Sequence, residues 1–192
     1  MKKTISLIVL FTITAIVLFY ISSIKDKLVD KTTLSAGFNL IDANGKPSSD
    51  KDFKGSYKLV FFGFTHCPMV CPTGLSTISS VIEELKQKTK APIEYFFITV
   101  DPDRDTPEVL KEHLSEFNPK IIGLTGSQKQ IDEAQKNFKA FSKKGEDDGE
   151  GNYLVDHSSY IYFMGPNNEY SAHFSYDMKV EKIVKKIMGS IK

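Results

Sequence analysis

Phe61–Thr73 reads FFGFTHCPMVCPT and carries both cysteines of the 192-residue chain, Cys67 and Cys71, separated only by Pro68, Met69 and Val70. An apolar run, Lys58–Phe64, leads into it, as expected of a strand buried on both faces. Leu75, Ile78, Val81, Ile82 and Leu85 follow at helical spacing, which predicts a helix over Pro72–Lys88 with Pro72 in its first turn. The thiols therefore sit at a strand-to-helix junction. Unpaired N–H groups and the positive end of the helix dipole favour thiolate there. Such thiolates exchange with disulfides or bind soft metals such as copper(I) and zinc. A Cys67–Cys71 disulfide is sterically permitted, but closing so small a loop stabilises by only about 2 kcal/mol before strain. A structural staple explains the pair poorly.

Outward from this stretch, Ile93–Val100 (IEYFFITV) reads as a second buried strand, which makes a βαβ unit with parallel pairing. Asp101–Pro107 (DPDRDTP) is a turn-rich loop, and Thr106-Pro107 is an N-cap and first-turn pair for a helix to about Phe117. Lys120–Leu124 reads as a short edge strand. Ser127 with Gln130 forms a capping box opening a helix whose buried face is Ile131, Ala134, Phe138 and Phe141. Lys143–Asn152 (KKGEDDGEGN) is a charged surface loop. Ser159–Met164 and Glu169–Ser175 are strands joined by a GPNN turn, and Val180, Ile183, Val184 and Ile187 mark a closing helix. Upstream, Gly37–Lys46 alternates and ends in Asn44-Gly45, a hairpin signal. Without that hairpin the order is β-α-β-α-α-β-β-α. The expected fold class is α/β, thioredoxin-like, with an N-terminal β-hairpin extension, and in that fold a cysteine pair occupies the first strand-to-helix junction.

Lys2 and Lys3 precede an uncharged apolar run from Thr4 to Ile24. That is the length of one membrane-spanning helix, and the flanking lysines predict a cytoplasmic N-terminus. A cleaved signal peptide is the rival reading, although no Ala-x-Ala site follows. The expected organisation is an anchor at 1–24, a polar linker at 25–35 and a thioredoxin-like domain at 36–192, exported across a bacterial inner membrane to the periplasmic or extracytoplasmic side. The chain holds 25 basic and 24 acidic residues, two of the lysines lying before the apolar run. No basic excess suggests a nucleic-acid partner.

A third metal ligand is sought first among the four histidines. His113 lies among Leu110, Leu114 and Phe117, at a helix surface or core edge, and His173 lies in the second hairpin strand, facing solvent. His66 adjoins Cys67, but neighbours on an extended chain point to opposite sides, which gives it a supporting or packing role. His157 precedes the strand Ser159–Met164, whose entry faces the cysteine pair in thioredoxin folds; a ligand and a backbone-bonded core histidine are both open for it. Asp101 ends the neighbouring strand, where it tunes a metal or fixes a loop, while turn and capping roles suffice for Asp103 and Asp105.

FFGFTHCPMVCPT resembles the CxxxC signature of the Sco/SenC copper chaperones, and the similarity extends to VDPDRDTP (Val100–Pro107) and YLVDHSSYIYFMGP (Tyr153–Pro166). The resemblance implies a thioredoxin-like fold holding one copper ion, copper(I) or copper(II), through Cys67, Cys71 and His157, with Asp101 supporting the site. Met69 stands where many members have aspartate. The expected role is a membrane-anchored metallochaperone, a binding rather than a catalytic protein, delivering copper to the dinuclear centre of cytochrome c oxidase subunit II. The alternative is a thiol–disulfide oxidoreductase that keeps the acceptor's cysteines reduced, with Cys67 and Cys71 as its redox pair. Oxidation to the disulfide would block metal loading in either case.

Overall fold

In the computed structural model the described residues are Val17, 37–149 and 152–191. The anchor expected at 1–24 and the linker at 25–35 lie outside them, apart from Val17. No helix among the described residues is long and apolar enough to cross a membrane.

Among the described residues, nine strands and four α-helices follow one another. They are β1 (Asn39–Asp42), β2 (Pro47–Ser49), β3 (Tyr57–Gly63), α1 (Val70–Lys88), β4 (Ile93–Thr99), α2 (Pro107–Ser115), β5 (Ile121–Thr125) and α3 (Gln128–Phe138), then β6 (Ser142–Lys144), β7 (Val155–His157), β8 (Tyr160–Met164), β9 (Tyr170–Ser175) and α4 (Val180–Ser190). Seven strands form one sheet in the order β2-β1-β5-β4-β3-β8-β9. β3, β4 and β5 run parallel, and β8 joins β3 antiparallel. This is the expected mixed α/β, thioredoxin-like arrangement.

β3 lies inside the sheet between β4 and β8, and its residues after Tyr57 are all buried. Side chains alternate across a strand, so Phe61 and Phe62 cover opposite faces. Phe61 meets Phe97 and the α1 glycine Gly74, where a Cβ would come within 2.6 Å of its ring. Phe62 packs edge-on against Phe138 of α3 and Tyr162 of β8. Each such ring removed from water contributes about 1.5–3 kcal/mol. Even Lys58 is fully buried, its Nζ donating to the Ser56 carbonyl at 3.0 Å, and burial lowers its pKa.

The helix ends follow their caps. The Thr106 side chain accepts from the Val109 N–H with Pro107 behind it, and Ser127 with Gln130 closes the capping box. Three expectations are corrected. The strand at 121–125 is not an edge, because the N-terminal hairpin pairs antiparallel with it through β1 and takes that position. Phe141 is not on the buried face of α3: the helix ends at Phe138, Lys139 turns left-handed (φ 51°), and Phe141 is 58% exposed. The charged stretch from Lys143 is not wholly loop. Ser142–Lys144 pairs with Val155–His157 in a two-stranded ribbon outside the main sheet.

Candidate metal centre

The cysteine loop leaves β3 at Gly63 and enters α1 at Val70, two residues earlier than the apolar periodicity indicates, so Cys71 lies inside the first helical turn. The N-cap position is Met69, whose side chain makes no capping bond. The buried helix N–H of Cys71 instead points at the Cys67 sulfur, 3.5 Å away. Cys67 thus does the work that a serine or aspartate oxygen does elsewhere.

Both cysteines are free thiols and buried, Cys71 completely. They divide the charge between them. A hydrogen bond from the Cys71 thiol pulls the Cys67 pKa well below the usual thiol range, helped by His157 and by the backbone N–H groups of Cys71 and Met69. Cys71 moves the opposite way, because it donates to Cys67, is deeply buried and sits beside the resulting negative charge.

Gly63 makes room for this arrangement. A Cβ on it would lie 2.5 Å from the Cys71 sulfur and 2.8 Å from the Phe97 ring. Any larger residue would drive the thiol out of its seat.

His157 arrives from the ribbon, opposite Ser142. Its Nδ1 faces the Ser158 carbonyl at 3.0 Å. That contact places the proton on Nδ1 and leaves the Nε2 lone pair free to ligate. Nε2 lies 3.5 Å from the Cys71 sulfur. The Phe61 and Phe64 rings meet the imidazole edge-on, at 6.3 and 5.8 Å. Among the described residues, Cys67, Cys71 and His157 are the one group whose donor atoms could hold a metal ion, all within 4.8 Å of one another. Metal–ligand bonds near 2.0–2.3 Å place trigonal or tetrahedral ligands about 3.5–4 Å apart, so only a small contraction is needed. Two sulfurs and one imidazole suit a soft ion.

The other candidates fall outside this cluster. His66 is exposed, and its ring nitrogen contacts the Thr65 hydroxyl at 3.0 Å. Asp101 is buried and accepts hydrogen bonds from the Arg104 guanidinium and, at 2.7 Å, from the Tyr153 hydroxyl. The Arg104 guanidinium and the Lys144 ammonium both rest on the Tyr153 ring, 3.5 and 3.6 Å from its centroid. Asp101 therefore fixes the segment leading into β7, and touches none of the three donors. His113 sits between Phe97 and Phe117, and His173 is exposed on β9.

Sequence reasoning missed Asp105. It was assigned a turn role, yet it is fully buried and accepts from the Thr65 hydroxyl and the Thr99 hydroxyl, each at 2.6 Å. The signal was an aspartate in a loop whose neighbouring strand ends and cysteine segment are all rich in threonine.

The SCO1/SenC family model matches residues 26–192. The chain belongs to the SCO1/SenC family. Among relatives, an SCO2-like protein of Rickettsia prowazekii is 43% identical over 156 residues, covering 81% of this chain and 76% of its own. The copper-bound structure of Bradyrhizobium japonicum ScoI is 35% identical, covers 82% of this chain and 99% of that one, and superposes with a TM-score of 0.74. BsSco, described with a disulfide switch and as a member of the Sco family of cytochrome c oxidase assembly proteins, is 26% identical with a TM-score of 0.69, covering 83% and 94%. Sco-family membership and the thioredoxin-like fold thus rest on sequence and structure independently.

Proposed function

We propose that this SCO1/SenC protein is a copper metallochaperone serving cytochrome c oxidase assembly, tethered to a bacterial inner membrane by residues 1–24 with its domain on the extracytoplasmic side. Its cargo is one copper ion, held by Cys67, Cys71 and His157 and passed to the dinuclear centre of oxidase subunit II. The observation that carries this is the convergence of three soft donors from two separate parts of the fold. Copper-bound ScoI structures of the same fold support the choice of ion. A three-donor site leaves coordination positions open. An acceptor's thiolates can therefore enter before the donor's leave, which permits transfer without releasing the ion to water.

The unequal thiols favour a second reading, a disulfide reductase acting on the acceptor. The Cys67 thiolate would attack an acceptor disulfide, releasing one acceptor thiolate and forming a mixed disulfide. Cys71, giving up its proton, would then displace the second acceptor sulfur and close the Cys67–Cys71 disulfide. Two electrons pass to the acceptor, which leaves with both cysteines reduced. His157 has no part in that exchange. Copper stoichiometry of the reduced protein, with His157→Ala alongside, separates the readings. One equivalent in the native chain, lost in the variant together with oxidase assembly, is expected. Full assembly activity in His157→Ala, with failure only on cysteine replacement, would leave the reductase.

A further inference from the structure

The loop Phe64–Met69 that presents the thiols is short and lies at the domain surface, yet its conformation must be held for both sulfurs to face His157. Its hydrogen bonds are few. Cys67 donates back to the Phe64 carbonyl, and the Met69 carbonyl accepts from Thr73, both within the loop and its helix. Apart from the contacts of the Cys67 sulfur, the side-chain hydrogen bonds that tie this loop to another part of the fold, among the described residues, go to Asp105. The Thr65 N–H reaches its Oδ2 at 3.1 Å, and the Thr65 hydroxyl donates to Oδ1 at 2.6 Å.

Asp105 is itself fixed from the far side. Thr99, at the end of β4, donates to Oδ2 at 2.6 Å, Thr125 of β5 donates to the Asp105 carbonyl at 2.9 Å, and the Asp105 N–H donates to Asp101 at 3.0 Å. The side chain is 0% exposed and has no ion-pair partner among the described residues. A buried carboxylate without a cation is costly. Charge-assisted hydrogen bonds from several oriented donors are what make it tolerable, and they are shorter and stronger than neutral ones. A turn alone would not need that expense.

We infer that Asp105 is the positioning residue of the thiol arm: through Thr65 its carboxylate sets where Cys67 and Cys71 present their sulfurs, and so how tightly copper is held. The inference rests on the copper-binding reading and assigns a determinant of affinity that touches no metal ligand. Thr65 transmits the constraint, while Thr99 only anchors the carboxylate.

The test uses the full chain, reduced and in detergent. It compares Asp105→Ala, Asp105→Asn, Thr65→Val and Thr99→Val by copper(I) competition, by the thiolate-to-copper absorption of the copper(II) form, and by the reduction potential of the cysteine pair. Outer partners of metal sites typically contribute about 10–100-fold in affinity. Asp105→Ala is expected to weaken copper(I) within that range and to shift the absorption band, with partial rescue in Asp105→Asn. Thr65→Val should reproduce most of the loss, whereas Thr99→Val lowers Tm and weakens copper(I) by clearly less than Thr65→Val. Native affinity, band and potential in Thr65→Val would overturn the inference, as would equal losses in Thr65→Val and Thr99→Val. Should Asp105→Ala fail to fold, the two threonine variants decide alone. A native chain that binds no copper defeats the metallochaperone reading instead. The reduction potential then judges Asp105: a clearly larger shift in Thr65→Val than in Thr99→Val upholds it, and any other pattern removes it.

Discussion

The two arms of the metal centre are built differently. The thiol arm grows from β3, an interior strand of a seven-stranded sheet, runs along a loop tied to buried Asp105 and ends in a nineteen-residue helix. The imidazole arm is a ribbon of two three-residue strands, paired with each other and not with the main sheet. Phe141 and Leu154, at 58% and 59% exposure, flank that ribbon, and its lower end is held by the contact of Tyr153 with Asp101, Arg104 and Lys144. Segments with few buried apolar contacts and short ladders open at low free-energy cost. The thiols are thus presented by the most stable part of the fold and the histidine by one of the least. Such a division would suit the proposed chaperone role, in which the site holds an ion and then yields it.

Replacing one ligand from each arm breaks this comparison most directly. Cys71→Ala should abolish copper retention through gel filtration. His157→Ala should weaken copper(I) by more than the roughly 10–100-fold typical of outer partners while leaving Tm nearly unchanged. A His157→Ala protein that melts as early as a core variant would show that the ribbon is not the separable part.

Gly63→Ala attacks the seat of Cys71 from the sheet side. The new Cβ would overlap the sulfur at 2.5 Å and the Phe97 ring at 2.8 Å. Overpacking of this kind costs about 1–3 kcal/mol. A lower urea midpoint with weakened copper binding is expected, and an unchanged midpoint would show that the seat has slack.

The thiols themselves sharpen the picture by pH. Cys67 is depressed below the ordinary thiol value of about 8.5 and Cys71 raised above it. Cys67 therefore contributes stability that is complete above that value and lost as pH falls through its lowered native pKa. Cys71 contributes stability present below the ordinary value and lost as pH climbs toward its raised one. The reduced protein should gain stability from acid toward about pH 8.5 and lose it beyond. Iodoacetamide should modify Cys67 at pH 6 while sparing Cys71, a difference read by peptide mapping.

The smallest effect belongs to Phe141→Ser. An exposed side chain beyond the helix end should change stability by no more than about 0.5 kcal/mol, against about 3–5 kcal/mol for Phe138→Ala. Comparable losses at both positions would restore Phe141 to the core.

The contrast between arms also explains what could be read in the chain. β3 and β4 were legible because burial on both faces leaves a nearly unbroken apolar run. Thr106-Pro107 and Ser127/Gln130 were legible because capping is local chemistry. The ribbon was not, since three-residue strands of serine, lysine, valine, aspartate and histidine carry no periodicity, and their pairing joins Ser142 to His157 and Lys144 to Val155 across an intervening loop. Phe141 was misplaced because the helical spacing continues in sequence past Lys139, while the left-handed turn there ends the helix. Cys67 and Cys71 declare themselves by spacing alone. His157 needed the fold to bring it 86 residues back to Cys71, and Asp105 needed contact with a threonine 40 residues away.

That span of 86 residues between Cys71 and His157 has a topological consequence. An ion bound to both becomes a cross-link that closes most of the domain into a ring, with β4, β5, α2 and α3 inside it. Because the ion binds the folded chain and not the open one, a free concentration a thousandfold above Kd adds about 4 kcal/mol to stability. Strand and ribbon then separate only by breaking a metal bond. A peptide bond cut in the charged loop between β6 and β7 would leave two fragments still joined by the pairing of β8 with β3, and a bound ion would add a second bolt between them.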